Sequence, residues 1–122
     1  MYDVAIIGAG PAGIFTAMEL VKLKPEWKIG IFDKGAAIEN RNCPARELHK
    51  CTKCKTCDLL CGWGGAGAFS DGKLTLTSDV GGNLLDYINR TELDLLIDYV
   101  DKIYLELVKV FFFYYSIKLA IL

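Results

Sequence analysis

The feature that most constrains this chain is its opening stretch: an apolar strand, a glycine turn, a helix and a second strand closed by an acid. Tyr2-Asp3-Val4-Ala5-Ile6-Ile7 is short, apolar and rich in β-branched side chains, as expected of a parallel strand covered on both faces. Gly8-Ala9-Gly10-Pro11-Ala12-Gly13 follows directly. Pro11 suits the first turn of a helix, because its φ is preset and the amide hydrogen it lacks would have no partner there. Ile14, Ala17, Met18 and Val21 recur at the three-and-four spacing of one apolar helix face, and Lys24-Pro25-Glu26 stops the helix after about Leu23. Lys28-Ile29-Gly30-Ile31-Phe32 then predicts a second strand, ending at Asp33.

This order matches the βαβ nucleotide-binding fingerprint, and each residue type has a mechanical reason. Gly8 permits the tight turn out of the strand. Gly10 lets the backbone come against a pyrophosphate, and Gly13 lets the helix approach the strand closely. With Pro11 and Ala12 they place a helix N-terminus, with its free amides and positive dipole end, at the phosphates. Asp33, with Lys34 beside it, stands where a carboxylate can accept hydrogen bonds from the adenosine ribose hydroxyls and would repel a 2′-phosphate. FAD and NAD both carry an adenosine ribose and a pyrophosphate, so the fingerprint fits either.

Between the second strand and a glycine-rich loop lies a cysteine run. Cys51, Cys54, Cys57 and Cys61 follow the spacing C-x₂-C-x₂-C-x₃-C, as in bacterial iron–sulfur ferredoxins, although Gly62 stands where those proteins have proline. Zinc could use the same thiolates, with Cys43 or His49 completing a tetrahedral set. Lys50, Lys53 and Lys55 would stabilise thiolates. A redox-active pair and a set of inert thiols fit the spacing too.

Gly62-Trp63-Gly64-Gly65-Ala66-Gly67-Ala68-Phe69-Ser70-Asp71-Gly72-Lys73-Leu74 is the most unusual segment. It is compatible with a second phosphate-binding loop, a loop against a ring system, or a turn, and it lacks the Gly-Lys-Ser/Thr of an ATP-binding P-loop. Together with Tyr2–Gly13 and the cysteine run, this string resembles a bacterial and archaeal family of FAD-dependent dehydrogenases, over residues 2 to roughly 106. The resemblance implies that Gly8, Gly10, Gly13 and Asp33 hold the ADP half of FAD. It also implies that Gly64, Gly65, Ser70 and Asp71 lie near the pyrophosphate or the isoalloxazine ring. Asp33 replaces the glutamate more usual in such flavoproteins, which keeps the carboxylate and shortens its reach. No catalytic acid, base or nucleophile is singled out, because flavin chemistry belongs mainly to the cofactor.

Further along, Thr91-Glu92-Leu93-Asp94 predicts a helix start, and Leu93, Leu96, Ile97, Val100, Ile103, Tyr104 and Leu107 predict one apolar face. The tail 108–122 changes composition abruptly, with a run of aromatic and aliphatic residues broken by Lys109 and Lys118. It is too short for a bilayer span and is compatible with a strand pair, an interfacial anchor or an extraneous end left by a broken reading frame.

The expected fold is therefore α/β, a Rossmann-like FAD/NAD(P)-binding domain of the glutathione-reductase-like kind, truncated, with residues 1–107 forming its N-terminal part. The expected function is the FAD-binding portion of an oxidoreductase that acts on a small molecule, inactive as this fragment, with NAD(P)H a candidate electron donor for the whole enzyme. Alternatives are a monooxygenase or double-bond reductase fragment, or an iron–sulfur or zinc module whose βαβ unit is only structural. A formal charge of -1 gives no basic field for nucleic acid or anionic lipid. With no basic segment or cleavage site before the first strand, a cytoplasmic location is expected.

Overall fold

The computed structural model describes the backbone of residues 1–120 and the side chains of residues 1–108. Two compact units divide the chain, Met1–Gly72 and a second beginning at Lys73. Strand β1 (Val4–Ile7) pairs in parallel with β2 (Ile29–Phe32), in the register Val4 to Ile29, Ala5 to Gly30, Ile6 to Ile31 and Ile7 to Phe32. Helix α1 (Pro11–Leu23) makes the crossover between them. A parallel pair needs such a connection, because a tight hairpin can only return antiparallel. The ladder is extended at both ends by Asp3 N–H to the Lys28 carbonyl (2.9 Å) and Gly8 N–H to the Phe32 carbonyl (2.7 Å). Asp3 also accepts the Lys28 amide (2.7 Å), which fixes where β2 enters.

Gly30 sits mid-strand because the rings of Tyr2 and Phe32, edge-on to each other at 5.4 Å, close over it. Helix α1 ends as the proline stop predicts, with Lys24 N–H bonded to the Leu20 carbonyl at 2.8 Å. Its face of Ile14, Ala17, Met18 and Val21 lines an open apolar groove together with Ile31 and Trp63, and no residue of the helix is fully buried. The strand pattern predicts cover on both sides; in this structure Val4 and Ile6 are half-buried, while Ile7 is 83% exposed. Ala9, at 3%, is the buried hydrophobic residue of the described chain. Arg41, Gly62 and Gly65, all in loops or turns, are buried as well, and a four-residue helix α2 (Ala45–Leu48) follows Arg41 on largely exposed chain.

In the second unit, helix α3 (Arg90–Ala120) begins earlier than Thr91. Its cap is Asn89: the Asn89 side-chain oxygen accepts the Glu92 amide (2.9 Å), and Glu92 accepts the Asn89 amide in return (3.2 Å). This is the reciprocal capping box, placed two residues before the Thr91 box because Asn89 and Glu92 stand at the required spacing. Arg90 bonds Ser78 (2.6 Å) and Asp79 (2.8 Å) in the loop of the same unit. The helical backbone continues past Leu107 to Ala120, in place of the strand pair that the tail's composition allows; the side chains of residues 109–122 lie outside the described residues. With no glycine or proline after Arg90, nothing local ends the helix. Among the described residues, no helix is long and apolar enough to cross a membrane.

Candidate functional site

The turn between β1 and α1 brings the three glycines of the fingerprint into different environments. Gly8 has φ +106°, a conformation that a side chain would strain. A β-carbon at Gly13 would overlap the Gly8 carbonyl oxygen and press on the Ile6 side chain (3.3 Å), so this glycine sets how closely the helix approaches the strand. Around Gly10, by contrast, a β-carbon would meet no atom within 4 Å. Space is therefore left open at the N-cap of α1, where no side chain caps the helix. Pro11 offers no amide, and the Ala12 and Gly13 amides have no acceptor within the helix.

Asp33 stands at the end of β2 and ties three loops together. Its two oxygens accept the Ala9 amide (2.8 Å), the Gly35 amide (2.8 Å) and the Gly62 amide (2.7 Å). The bond from Ala9, then that from Gly35, hold its carboxyl below the usual carboxylate range; partial desolvation opposes them, and the bond from Gly62 and then the charge of Arg41 add smaller downward effects. A carboxylate offers about four acceptor positions. Three are taken, and the least used oxygen is the one bonded to Ala9, in the fingerprint turn itself.

Beside this carboxylate lies a cavity of about 290 Å³ lined by Ile7, Gly8, Phe32, Asp33, Lys34, Leu60 and Cys61. Its size is near the lower end for small-molecule sites, and its walls are mostly apolar with a few polar groups, the usual composition of such sites. Lys34 thus shares the cavity with Gly8 and Asp33.

The second glycine-rich loop docks on the same turn. Gly64 N–H donates to the Ala9 carbonyl (2.8 Å), and a β-carbon at Gly65 would come within 3.2 Å of Gly10 Cα. Residues Gly65–Phe69 form a 3₁₀ turn, although no helix signal precedes them in the sequence. Gly64 and Gly65 are therefore gathered with Gly8, Gly10 and Asp33. Ser70 and Asp71 follow the turn on exposed chain and do not line the cavity; the Ser70 hydroxyl accepts the Gly72 amide at 3.1 Å.

The four spaced cysteines do not converge. Cys51 and Cys54 are exposed, Cys57 and Cys61 half-buried, and all are free thiols. Among the described residues, no three His, Cys, Asp or Glu side chains are grouped to hold a metal ion. Cys61 instead forms part of the cavity wall.

Arg41 escapes sequence analysis altogether. It is only 5% exposed, and four of its hydrogen bonds go to main-chain carbonyls: Asp58 (2.8 Å), Leu59 (3.1 Å), Trp63 (2.7 Å) and Gly65 (2.9 Å). Its guanidinium lies over the Phe69 ring at 4.6 Å, and that of Arg46 over the same ring at 4.9 Å. No motif signals such a residue, because its partners are atoms that every residue carries.

No family profile matches the chain, and no solved structure matches it. It is similar to an uncharacterized protein of Clostridium beijerinckii, 37% identical over 71 residues. The match takes in 57% of this chain and 13% of that protein, so the chain spans a small part of the length of the relative it resembles.

Proposed function

We propose that the first unit is the ADP-binding start of an FAD-dependent oxidoreductase, of Rossmann-like fold, whose complete form acts on a small organic molecule. The observation that carries this reading is the division of labour among Gly8, Gly10 and Gly13: one turned with positive φ, one facing open space, one wedged against the strand. A turn kept glycine-rich for packing alone would have no need of a glycine where a β-carbon meets nothing. The diphosphate would lie over Gly10, on the Ala12 and Gly13 amides and the positive end of α1. The adenosine would enter the cavity of Gly8, Asp33, Lys34, Leu60 and Cys61. Asp33 has one acceptor position left on the oxygen facing Ala9, enough for one ribose hydroxyl, and its negative charge disfavours a 2′-phosphate.

FAD, when bound, supplies the hydride or electron transfer. This chain's own residues bind, orient and exclude. Gly64 and Gly65, resting on the fingerprint turn, stand where the cofactor would continue beyond its diphosphate. Titrating the protein with FAD, ADP and the 2′-phosphorylated analogue of ADP tests the reading. Binding of the first two with rejection of the third is expected; failure of both FAD and ADP to bind would refute it.

A further inference from the structure

The 58–65 segment supplies two walls of the candidate site, Leu60 and Cys61 in the cavity and Gly64 and Gly65 on the turn, yet it contains no strand and no α-helix. Loops of this kind usually sample many conformations, because little apolar burial opposes their backbone entropy. Here burial is indeed slight: Leu59, Leu60 and Trp63 are all more than 40% exposed. What the segment has instead is a buried cation at its centre.

We propose that Arg41 is the positioning residue of the nucleotide site: its guanidinium gathers the carbonyls of Asp58, Leu59, Trp63 and Gly65 and so holds the glycine loop closed on the fingerprint turn. The inference rests on the ADP-binding function proposed above. Its geometry does not: Nε, Nη1 and Nη2 reach out to carbonyls on both sides of the Gly62 turn, which no monovalent donor could span. A guanidinium has five donors in a fixed plane, so four bonds to separate carbonyls define the loop's shape rather than merely its proximity. Phe69, at the end of the 3₁₀ turn, closes over the cation and extends the hold to the loop's far end. Asp33 completes the arrangement through its bond from the Gly62 amide (2.7 Å). One anion collecting amides and one cation collecting carbonyls thus fix the same turn by its two kinds of main-chain atom.

Arg41 touches no cavity surface and acts only through the loop. If its loss leaves the loop docked in one molecule in ten, apparent affinity falls about tenfold, since only the docked fraction binds. The test compares wild type with Arg41→Ala and Arg41→Lys by amide hydrogen exchange and by titration with FAD and with ADP, each in the presence and absence of millimolar guanidinium chloride. Arg41→Ala is expected to lose protection at the Cys61, Gly62, Gly64 and Gly65 amides while β1, β2 and α1 keep theirs, and to bind both nucleotides about tenfold more weakly. Arg41→Lys, which keeps the charge but cannot fork, should fall between the two. Added guanidinium should restore both protection and affinity in Arg41→Ala alone. Unchanged exchange at those amides, wild-type behaviour of Arg41→Lys, or loss of protection throughout the unit would each overturn the proposal. If wild type binds neither nucleotide, the functional reading fails, while the exchange arm still decides whether Arg41 positions the loop.

Discussion

Gly10→Ala and Gly13→Ala add the same methyl group three residues apart, and the structure expects opposite consequences for stability and binding. At Gly13 the new methyl would collide with the Gly8 carbonyl, and backbone lies on both sides of the contact, so α1 must move away from β1. Overpacking of this kind costs about 1–3 kcal/mol, a large part of the stability of a unit with so little buried apolar surface. At Gly10 the backbone has φ −77° and ψ −179°, which alanine adopts without strain, and the methyl meets nothing. The lower entropy of the unfolded alanine chain contributes about 0.4–1 kcal/mol of stability. Alanine's poor performance as an N-cap costs a similar amount, roughly 0.5–1 kcal/mol. The two nearly cancel. Affinity for FAD should nonetheless drop steeply in Gly10→Ala, because the methyl takes the space assigned to the diphosphate; a clash of about 1–3 kcal/mol corresponds to roughly a fivefold to 150-fold loss. Urea unfolding followed by circular dichroism measures the first quantity, and quenching of flavin fluorescence on titration measures the second. Gly10→Ala that binds FAD like wild type, or that is destabilised as much as Gly13→Ala, would refute the assignment of the open space to a ligand.

Three further outcomes follow from the same structure. Asp33 has a folded-state pKa below its unfolded value, so its contribution to stability is present above about pH 4 and disappears as the pH falls through the lower, folded value. In Asp33→Asn that acid-sensitive component should be missing, and unfolding monitored between about pH 2 and 5 should show a shallower loss of stability than in wild type. Asn89→Ala removes the acceptor for the Glu92 amide, and should lower the stability of α3 by about 0.5–2 kcal/mol, seen as reduced helical circular dichroism on mild heating. Thiol titration with an aromatic disulfide should label Cys51 and Cys54 first and Cys43, Cys57 and Cys61 more slowly, with ADP slowing Cys61 further because that thiol lines the cavity.

The parts of the molecule that sequence discloses are those governed by neighbours along the chain. β1, α1 and β2 follow from β-branched runs, a helical period and two prolines, all of them local signals. The position of Asp33 is legible for the same reason, since it closes a strand. Its partners are not: three amides from three loops converge on it only after the chain has folded, and the shorter reach of aspartate turns out to suit bonds to its own main chain. The predicted start of α3 at Thr91 gives way to a cap at Asn89: both residues carry capping oxygens, and only the reciprocal bond with Glu92 distinguishes them. Cysteine spacing is silent in another way. A C-x₂-C interval fixes separation along the chain, whereas a ligand set needs the side chains turned toward one point. The run here is spread along loop, with Cys51 and Cys54 exposed and Cys57 and Cys61 half-buried.

The carbonyl cage around Arg41 has an evolutionary corollary. Because it uses only main-chain oxygens of residues 58, 59, 63 and 65, the side chains at Asp58, Leu59 and Trp63 contribute no bond to it. Substitution at those three positions should be absorbed easily, whereas inserting or deleting a single residue between them would displace every acceptor beyond the change. Those three positions should therefore drift in composition while the stretch keeps its length and its glycines, and an alignment scored on residue identity would undervalue it.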